Sequence, residues 1–254
     1  MSTPQSYTQL CEDLTAALNL NQAPLAISFT DVFPSGLSVP SARVAAGCRF
    51  WQDAATTSIV TVAEDHNSCA IGVHTHNLET TSSQQTDLMD ALKVFGDLGY
   101  VRPEDLPLIP VLASRSKYVV YGPLARTPLP PDVVLFFVNS NQTLVLSEAV
   151  QQVEAGNPPA MGRPACAVVP QVINTGRAAL SLGCCGARAY LDVLTDDVAL
   201  FAIPGARIEA YAERIIALSK ANQVLSRFHQ MRRHDIGHGA SPTIKESLEA
   251  FMAS

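Results

Sequence analysis

Six cysteines, at positions 11, 48, 69, 166, 184 and 185, are the residues of this chain best suited to chemistry. They are scattered, unlike the dense framework of a small secreted domain, so in a reducing compartment they are buried apolar residues, metal ligands or reactive thiols. Cys69 follows the run EDHNS, rich in helix-capping residues, and Cys166 follows Pro164, a favoured first helical residue. Both are expected in the first turn of a helix, where unpaired amides and the positive dipole end favour an anion and lower a thiol's pKa. Cys184 lies between Gly183 and Gly186, which let backbone amides approach a sulfur closely. Cys48 follows Gly47 in a less defined setting.

If Cys48, Cys69, Cys166 and Cys184 converge, their thiolates suit tetrahedral zinc or an iron–sulfur cluster. The chain has no C-x-x-C knuckle of the kind that structural zinc sites are built on. Scattered ligands therefore fit a cluster held between two halves somewhat better. Burial as small apolar residues is the plainer competitor. Cys185 is adjacent to Cys184 and points away from it on an extended chain, and Cys11 falls in an N-terminal helix where it packs.

Other polar residues surround these positions. In HNSCAIGVHTH, His66, His74 and His76 flank Cys69, so zinc held by Cys69 with one or two His competes with the four-thiolate reading. The preferred reading puts His74 and His76 on a surface loop and lets His66 donate a hydrogen bond to a ligand near Cys69. Arg163 and Arg188 flank the second cysteine pair and could grip an anionic substrate, although surface ion pairs are the plainer role. His229, His234 and His238, with Arg232 and Arg233, read as a solvated basic helix end. No G-x-x-x-x-G-K-[ST], no G-x-G-x-x-G after the first strand and no G-x-S-x-G is present, so nucleotide and serine-hydrolase chemistry have no support.

The body that positions these residues is legible in outline. With 254 residues, 47% of them hydrophobic, the chain buries a core without disulfides or metal. Net charge −6 argues against a nucleic-acid binder. No apolar run approaches the ~20 residues of a membrane span, and MSTPQSYTQLCEDL lacks a signal-peptide pattern. The expectation is a soluble cytoplasmic protein. Leu10, Leu14 and Leu18 predict a first helix. Strands are expected at Leu25–Thr30, Ser58–Ala63, Lys117–Tyr121, Val133–Val138, Ala178–Leu182 and Val198–Ile203. A helix capped by Ser41 is expected through Val44, Cys48 and Trp51. Others are expected over Gln84–Phe95, from Asn139 to Gln152, from Ala165, and over 206–234 with Ile208, Tyr211, Ile215, Leu218 and Leu225 facing inward. Residues 157–164 read as a loop. This is an α/β pattern with a mixed sheet flanked by helices, in one compact domain over 1–254.

Two segments, 21–127 and 128–205, repeat one order. Each runs strand, helix with a cysteine (Cys48, Cys166), strand, second cysteine (Cys69, Cys184), and a later strand ending in Gly122-Pro123 or Pro204-Gly205. A diverged internal duplication, with two pseudo-symmetric lobes and the cysteine pairs facing across the axis, competes with the plainer reading that helix-then-strand order is common to α/β chains.

The run LSLGCCGARAYLDVLTDDVALFAIPG resembles a signature of the domain-of-unknown-function family 169 (DUF169) on Leu182, Gly183, Cys184, Gly186, Arg188, Tyr190, Asp196, Asp197 and Pro204. The PLAISF strand, Cys48, His66-x-x-Cys69-x-x-Gly72, Tyr121-Gly122-Pro123-Leu124 and Cys166 resemble further family features, from about Leu10 to Arg207. The resemblance implies four cysteine positions and little chemistry. Cys185 departs from the family pattern. The resulting expectation is an iron–sulfur protein with ligands Cys48, Cys69, Cys166 and Cys184, and with His66 and Arg188 as polar partners. Its role would be electron transfer, or Lewis-acid chemistry that needs one exchangeable ligand. The expected partner is a small molecule or an electron-transfer protein, without nucleic acid or membrane, and a homo-oligomer is compatible with it. The alternatives are a metal-free thiol redox or transfer enzyme with Cys184 or Cys69 as nucleophile, a zinc-binding structural protein, and a metal-free binding protein.

Overall fold

The computed structural model describes residues 6–40, 47–66, 69–184 and 186–253. The expectations placed on Ser41, Val44, Asn67, Ser68 and Cys185 lie outside the described residues. The fold is α/β. Strands β1 (Leu25–Thr30), β2 (Ile59–Thr61), β3 (Tyr118–Pro123), β4 (Val133–Val138), β5 (Ala160–Met161), β6 (Ala179–Ser181) and β7 (Ala199–Pro204) form one sheet in the order β2-β3-β1-β4-β7-β6-β5. The sheet is mixed, since β5 and β6 run parallel and the other neighbours antiparallel.

Side chains alternate along each strand between two apolar cores, one on each face. Val133 and Leu135 enter one core, and Val134, Phe136 and Val138 the other. Behind the second face pack α1 (Tyr7–Leu18), α5 (Ser140–Val153) and the first half of α7 (Ile208–Gly237). Leu10, Leu14 and Leu18 recur on one side of α1, and Ser6 caps it by accepting the Gln9 amide at 3.2 Å. Over the first face lie α2 (Phe50–Ala54), α3 (Ala70–Thr75) and α6 (Val168–Thr175), the last preceded by the turn Ala165–Ala167.

Several expected elements shift. Cys48 sits in a 3₁₀ turn, Gly47–Arg49, that leads directly into α2. The 157–164 loop contains the two-residue strand β5, too short to leave a sequence pattern. Leu225, expected inward, is half exposed, because α7 has by then outrun the sheet it packs on. Beyond it Phe228 is buried beside Phe251 of α8 (Ile244–Ala253), with ring centroids 5.6 Å apart.

Outward from the central β1–β4 pair, β3 and β2 on one side correspond in order and register to β7 and β6 on the other, with β5 as an extra edge strand. Leu25 faces Pro123 as Val133 faces Pro204, and Ile59 faces Tyr121 as Ala179 faces Ala202. Ala26 faces Val134 at the centre, flanked by Leu25–Leu135 and Ile27–Val133. Leu124 donates its amide to the Pro24 carbonyl, and Gly205 donates to the Asp132 carbonyl in the same way, both at 2.9 Å. This arrangement puts the Cys48 and Cys166 turns in corresponding places, and the two turns touch.

One buried carboxylate fixes where β6 begins. Glu154 accepts from the Ala178 amide at 2.7 Å, from the Tyr211 hydroxyl at 2.5 Å and from Arg177 Nε at 3.1 Å. Glu154→Ala strands the buried Ala178 amide and Tyr211 hydroxyl and is expected to cost about 3 kcal/mol of unfolding free energy, read from urea denaturation. Glu154→Gln keeps an acceptor for Ala178 and is expected to lose less than half as much.

Candidate functional site

β2 and β6 each end in a fully buried hydroxyl residue, Thr61 and Ser181, at matching registers against β3 and β7. The chain then turns and delivers a cysteine from each half. Cys69 arrives as the N-cap of α3, where its Sγ accepts the Gly72 amide at 3.2 Å. Cys184 arrives through Gly183, whose φ of +86° suits glycine. Gly183 is also packed tightly, since a Cβ there would meet Leu194 Cδ1 at 2.8 Å.

Cys48, Cys69, Cys166 and Cys184 all line one cavity of about 790 Å³. Cys48 and Cys166 are buried, whereas Cys69 and Cys184 are partly exposed. The close approach of two backbones draws Cys48 and Cys69 together. A Cβ on Gly72 would lie 3.7 Å from the Gly47 amide nitrogen and 3.2 Å from Cys69 Sγ. With glycine at both places, the amides of Gly72, Gly47 and Ile71 all act on the Cys69 sulfur. Thr75, one turn further along α3, donates its hydroxyl to Cys166 Sγ at 3.4 Å.

The expected lowering of the thiol pKa by helix N-termini does not occur. Burial pushes Cys48 and Cys166 well above the usual thiol range, and the neighbouring thiols push them further. Burial also raises Cys69, while the Gly72, Gly47 and Ile71 amides pull it back only in part. Desolvation wins because the turns carrying Cys48 and Cys166 are only three residues long, Gly47–Arg49 and Ala165–Ala167, and sit inside an apolar core. Among the described residues, no set of three or more His, Cys, Asp or Glu is gathered tightly enough to hold a single metal ion.

His76, expected on a surface loop, is buried, and its Nδ1 hydrogen-bonds the Gly72 carbonyl at 2.9 Å. His74 is exposed and lines the cavity. His66 lies behind the cysteines, not on the cavity. Its Nε2 meets Thr61 Oγ1 at 3.1 Å, and its Nδ1 is buried without a partner. A Cβ on Gly47 would sit 2.8 Å from that Nδ1, so the ring is wedged against the Cys48 turn. Tyr121, part of the family-like Tyr121-Gly122-Pro123-Leu124 run, buries an unpartnered hydroxyl in the same place and stacks on Phe50 at 6.0 Å. An aromatic residue with a polar tip on an inward strand position was its other sequence signal.

Arg163 lines the cavity. Arg188 does not; it clamps the Cys184 turn from behind by donating to the carbonyls of Thr195, of Leu182 at 2.6 Å and of Val198 at 2.9 Å. The two arginines thus divide between the cavity and its frame, and neither sits in a surface ion pair with the geometry expected for one.

The DUF169 family model, described as uncharacterised ArCR, matches residues 13–214. The chain belongs to the DUF169 family. No curated protein and no solved structure matches it. The DUF169 match spans all four cavity cysteines and ends within α7, short of α8. No helix among the described residues is long and apolar enough to cross a membrane.

Two measurements test this construction. Arg188→Lys loses the fork that holds three carbonyls and is expected to free the Cys184 turn, so that Cys184 alkylates about tenfold faster while Cys48 and Cys166 stay protected. The buried imidazoles set a pH dependence for the metal-free chain. Burial lowers His66 from 6.5 to about 3, with His76 adding to the shift, and lowers His76 to about 4. Above pH 6.5 both rings are neutral in either state and their stability contribution is complete. Below it the unfolded chain takes up protons that the folded chain refuses, so stability falls from pH 7 toward pH 4. The slope is up to about 1.4 kcal/mol per pH unit for each ring. Urea midpoints across that range check it, and His66→Gln is expected to remove its share of the slope.

Proposed function

We propose that this chain binds an iron–sulfur cluster through Cys48, Cys69, Cys166 and Cys184 and uses it in redox or small-molecule chemistry. The observation that carries the reading is that these four side chains, from two corresponding pairs of turns, line a single cavity. The chemistry of the donor set supports it. Burial first, and repulsion between neighbouring thiolates after it, raises Cys48 and Cys166. A cationic centre reverses that balance and displaces the thiol protons. A zinc ion needs its ligands to converge on one point. A cluster spreads its thiolates over several irons, which suits a ring of thiols around a cavity.

The other residues have roles in this reading. The Gly47, Ile71 and Gly72 amides and the Thr75 hydroxyl supply hydrogen bonds to thiolate sulfur. Arg188 holds the Cys184 turn in shape. A bound cluster would supply electron transfer, or Lewis acidity at an open iron. The partner is a small molecule or an electron-transfer protein, and a reducing cytoplasmic setting keeps the thiols free. Net charge −6 accords with the absence of a nucleic-acid role. The matched registers of the two halves support an internal duplication as the origin of the site.

A second reading, a metal-free thiol enzyme, is favoured by one observation: Cys184 is partly exposed on a turn that lines the cavity. Anaerobic purification with iron and acid-labile sulfide analysis separates the two. The expected result is near-stoichiometric iron and sulfide with visible absorbance. Both should be lost on changing Cys48, Cys69, Cys166 or Cys184 to Ser and retained in Cys11→Ser, since Cys11 lies in the core on the opposite face. A colourless, metal-free chain whose Cys184 alkylates rapidly would replace this reading with the thiol enzyme. Stoichiometric zinc without sulfide would replace it with a zinc site.

A further inference from the structure

The cavity that the cysteines line has a second, unlike wall. Helix α4 (Ser82–Asp97) crosses above it. Leu88, Leu92 and Phe95, at helical spacing, line the cavity together with Ile109 from beyond the helix. Of this helix's sixteen residues only Gln84 is buried. The helix is fastened at its N-terminus, by a Thr81–Gln84 capping box and by Gln84 Nε2 donating to the Ala63 carbonyl at 3.3 Å. Its apolar stripe therefore faces empty space rather than protein core, an arrangement that costs stability unless something apolar fills it.

The charged groups on the cavity lining lie at its exposed edge or are held by neighbours. Arg163 donates to the Tyr100 carbonyl at 2.6 Å and lies 4.0 Å over that tyrosine's ring. Asp105 is gripped at both oxygens by Arg102, at 2.9 and 2.7 Å. His74 and Asp87 are exposed. Among the described residues no charged group is buried along the α4 wall to pair with a charged ligand, and burying an ion there without a partner is costly.

We infer that the cavity is the binding site of an uncharged, largely apolar organic molecule of small-ligand size. Its body packs under Leu88, Leu92 and Phe95, and its leading end faces the cysteines. That this end is the reacting one rests on the cluster reading above; the apolar site does not. Binding completes the burial of the α4 stripe, so α4 is the part of the chain that ligand stabilises.

The test uses the full chain, as purified anaerobically and again after iron removal. The probes are 2-naphthol and 2-naphthoate, which share a ring system and differ in charge. Hydrogen exchange across residues 82–97 is expected to slow about threefold or more with 2-naphthol and to stay unchanged with 2-naphthoate. Leu92→Lys is expected to weaken 2-naphthol binding about tenfold or more. A second variant, Phe95→Ser, guards against a folding defect in the first. Equal or stronger protection by 2-naphthoate would overturn the uncharged class. No protection by 2-naphthol in either preparation would overturn the site. Protection in a chain that purifies without iron would uphold the site while the cluster reading fails, and iron with sulfide but no protection would do the reverse.

Discussion

The antiparallel pairing of β1 with β4 is the constraint on which the site depends. Neither cysteine pair can gather the other, because each belongs to its own half and is carried on short turns. The central pair joins the halves with Ala26 opposite Val134 and brings corresponding turns to the same face of the sheet. A one-residue slip in β1–β4 would exchange the two faces of every residue in the strand. It would send Leu25 and Ile27 out of the core that also holds Cys48 and Cys166. Alternation of Val133, Val134, Leu135 and Phe136 between two well-filled cores forbids that slip. The position of the thiols is thus set by apolar packing, several residues away from any sulfur.

That same packing sets the electrostatic state of the site. An apolar core that fixes Cys48 and Cys166 also desolvates them, and desolvation outweighs the amide and hydroxyl donors aimed at the sulfurs. On the proposed cluster reading, a cationic centre is the opposite charge that reconciles the donors with the burial. The unpartnered Tyr121 hydroxyl and His66 Nδ1 extend this pattern around Gly47. Unsatisfied buried polar groups are uncommon in finished cores, and here two of them meet at one cysteine-bearing turn.

Much of this was legible in the sequence, for identifiable reasons. β1 and β4 have the expected bounds because VVLFFV and LAISFT are unbroken β-rich runs closed by turn residues. The paired placement of Cys48 with Cys166, and of Cys69 with Cys184, followed from element order alone. Three-dimensional crowding was not legible. Gly47 and Gly72 are ordinary glycines in sequence, and only their contact shows why each must lack a side chain. His76 looked like a loop residue because polar neighbours surround it, yet the end of α3 turns it into the core. The dipole argument for Cys69 and Cys166 failed because local rules give the sign of one term, whereas burial depends on the whole fold. The helix expected over Gln84–Phe95 is present as α4, but its sequence pattern does not say whether its apolar side chains meet core or cavity.

The two halves differ in a way that gives the site a direction. Between β6 and β7 the chain needs only the Cys184 turn, a single π turn (Gly186–Tyr190) and a short return. Between β2 and β3, at the corresponding place, it inserts α3, α4 and the Pro103–Leu108 turn. Perfect twofold symmetry would enclose the cysteines equally from both halves or expose them equally. Extending one half alone supplies a wall without a matching partner, so α4 lines the cavity from one side and the shorter Cys184 segment from another. Correspondence between the halves therefore accounts for the gathering of the thiols, and departure from it accounts for the apolar wall beside them.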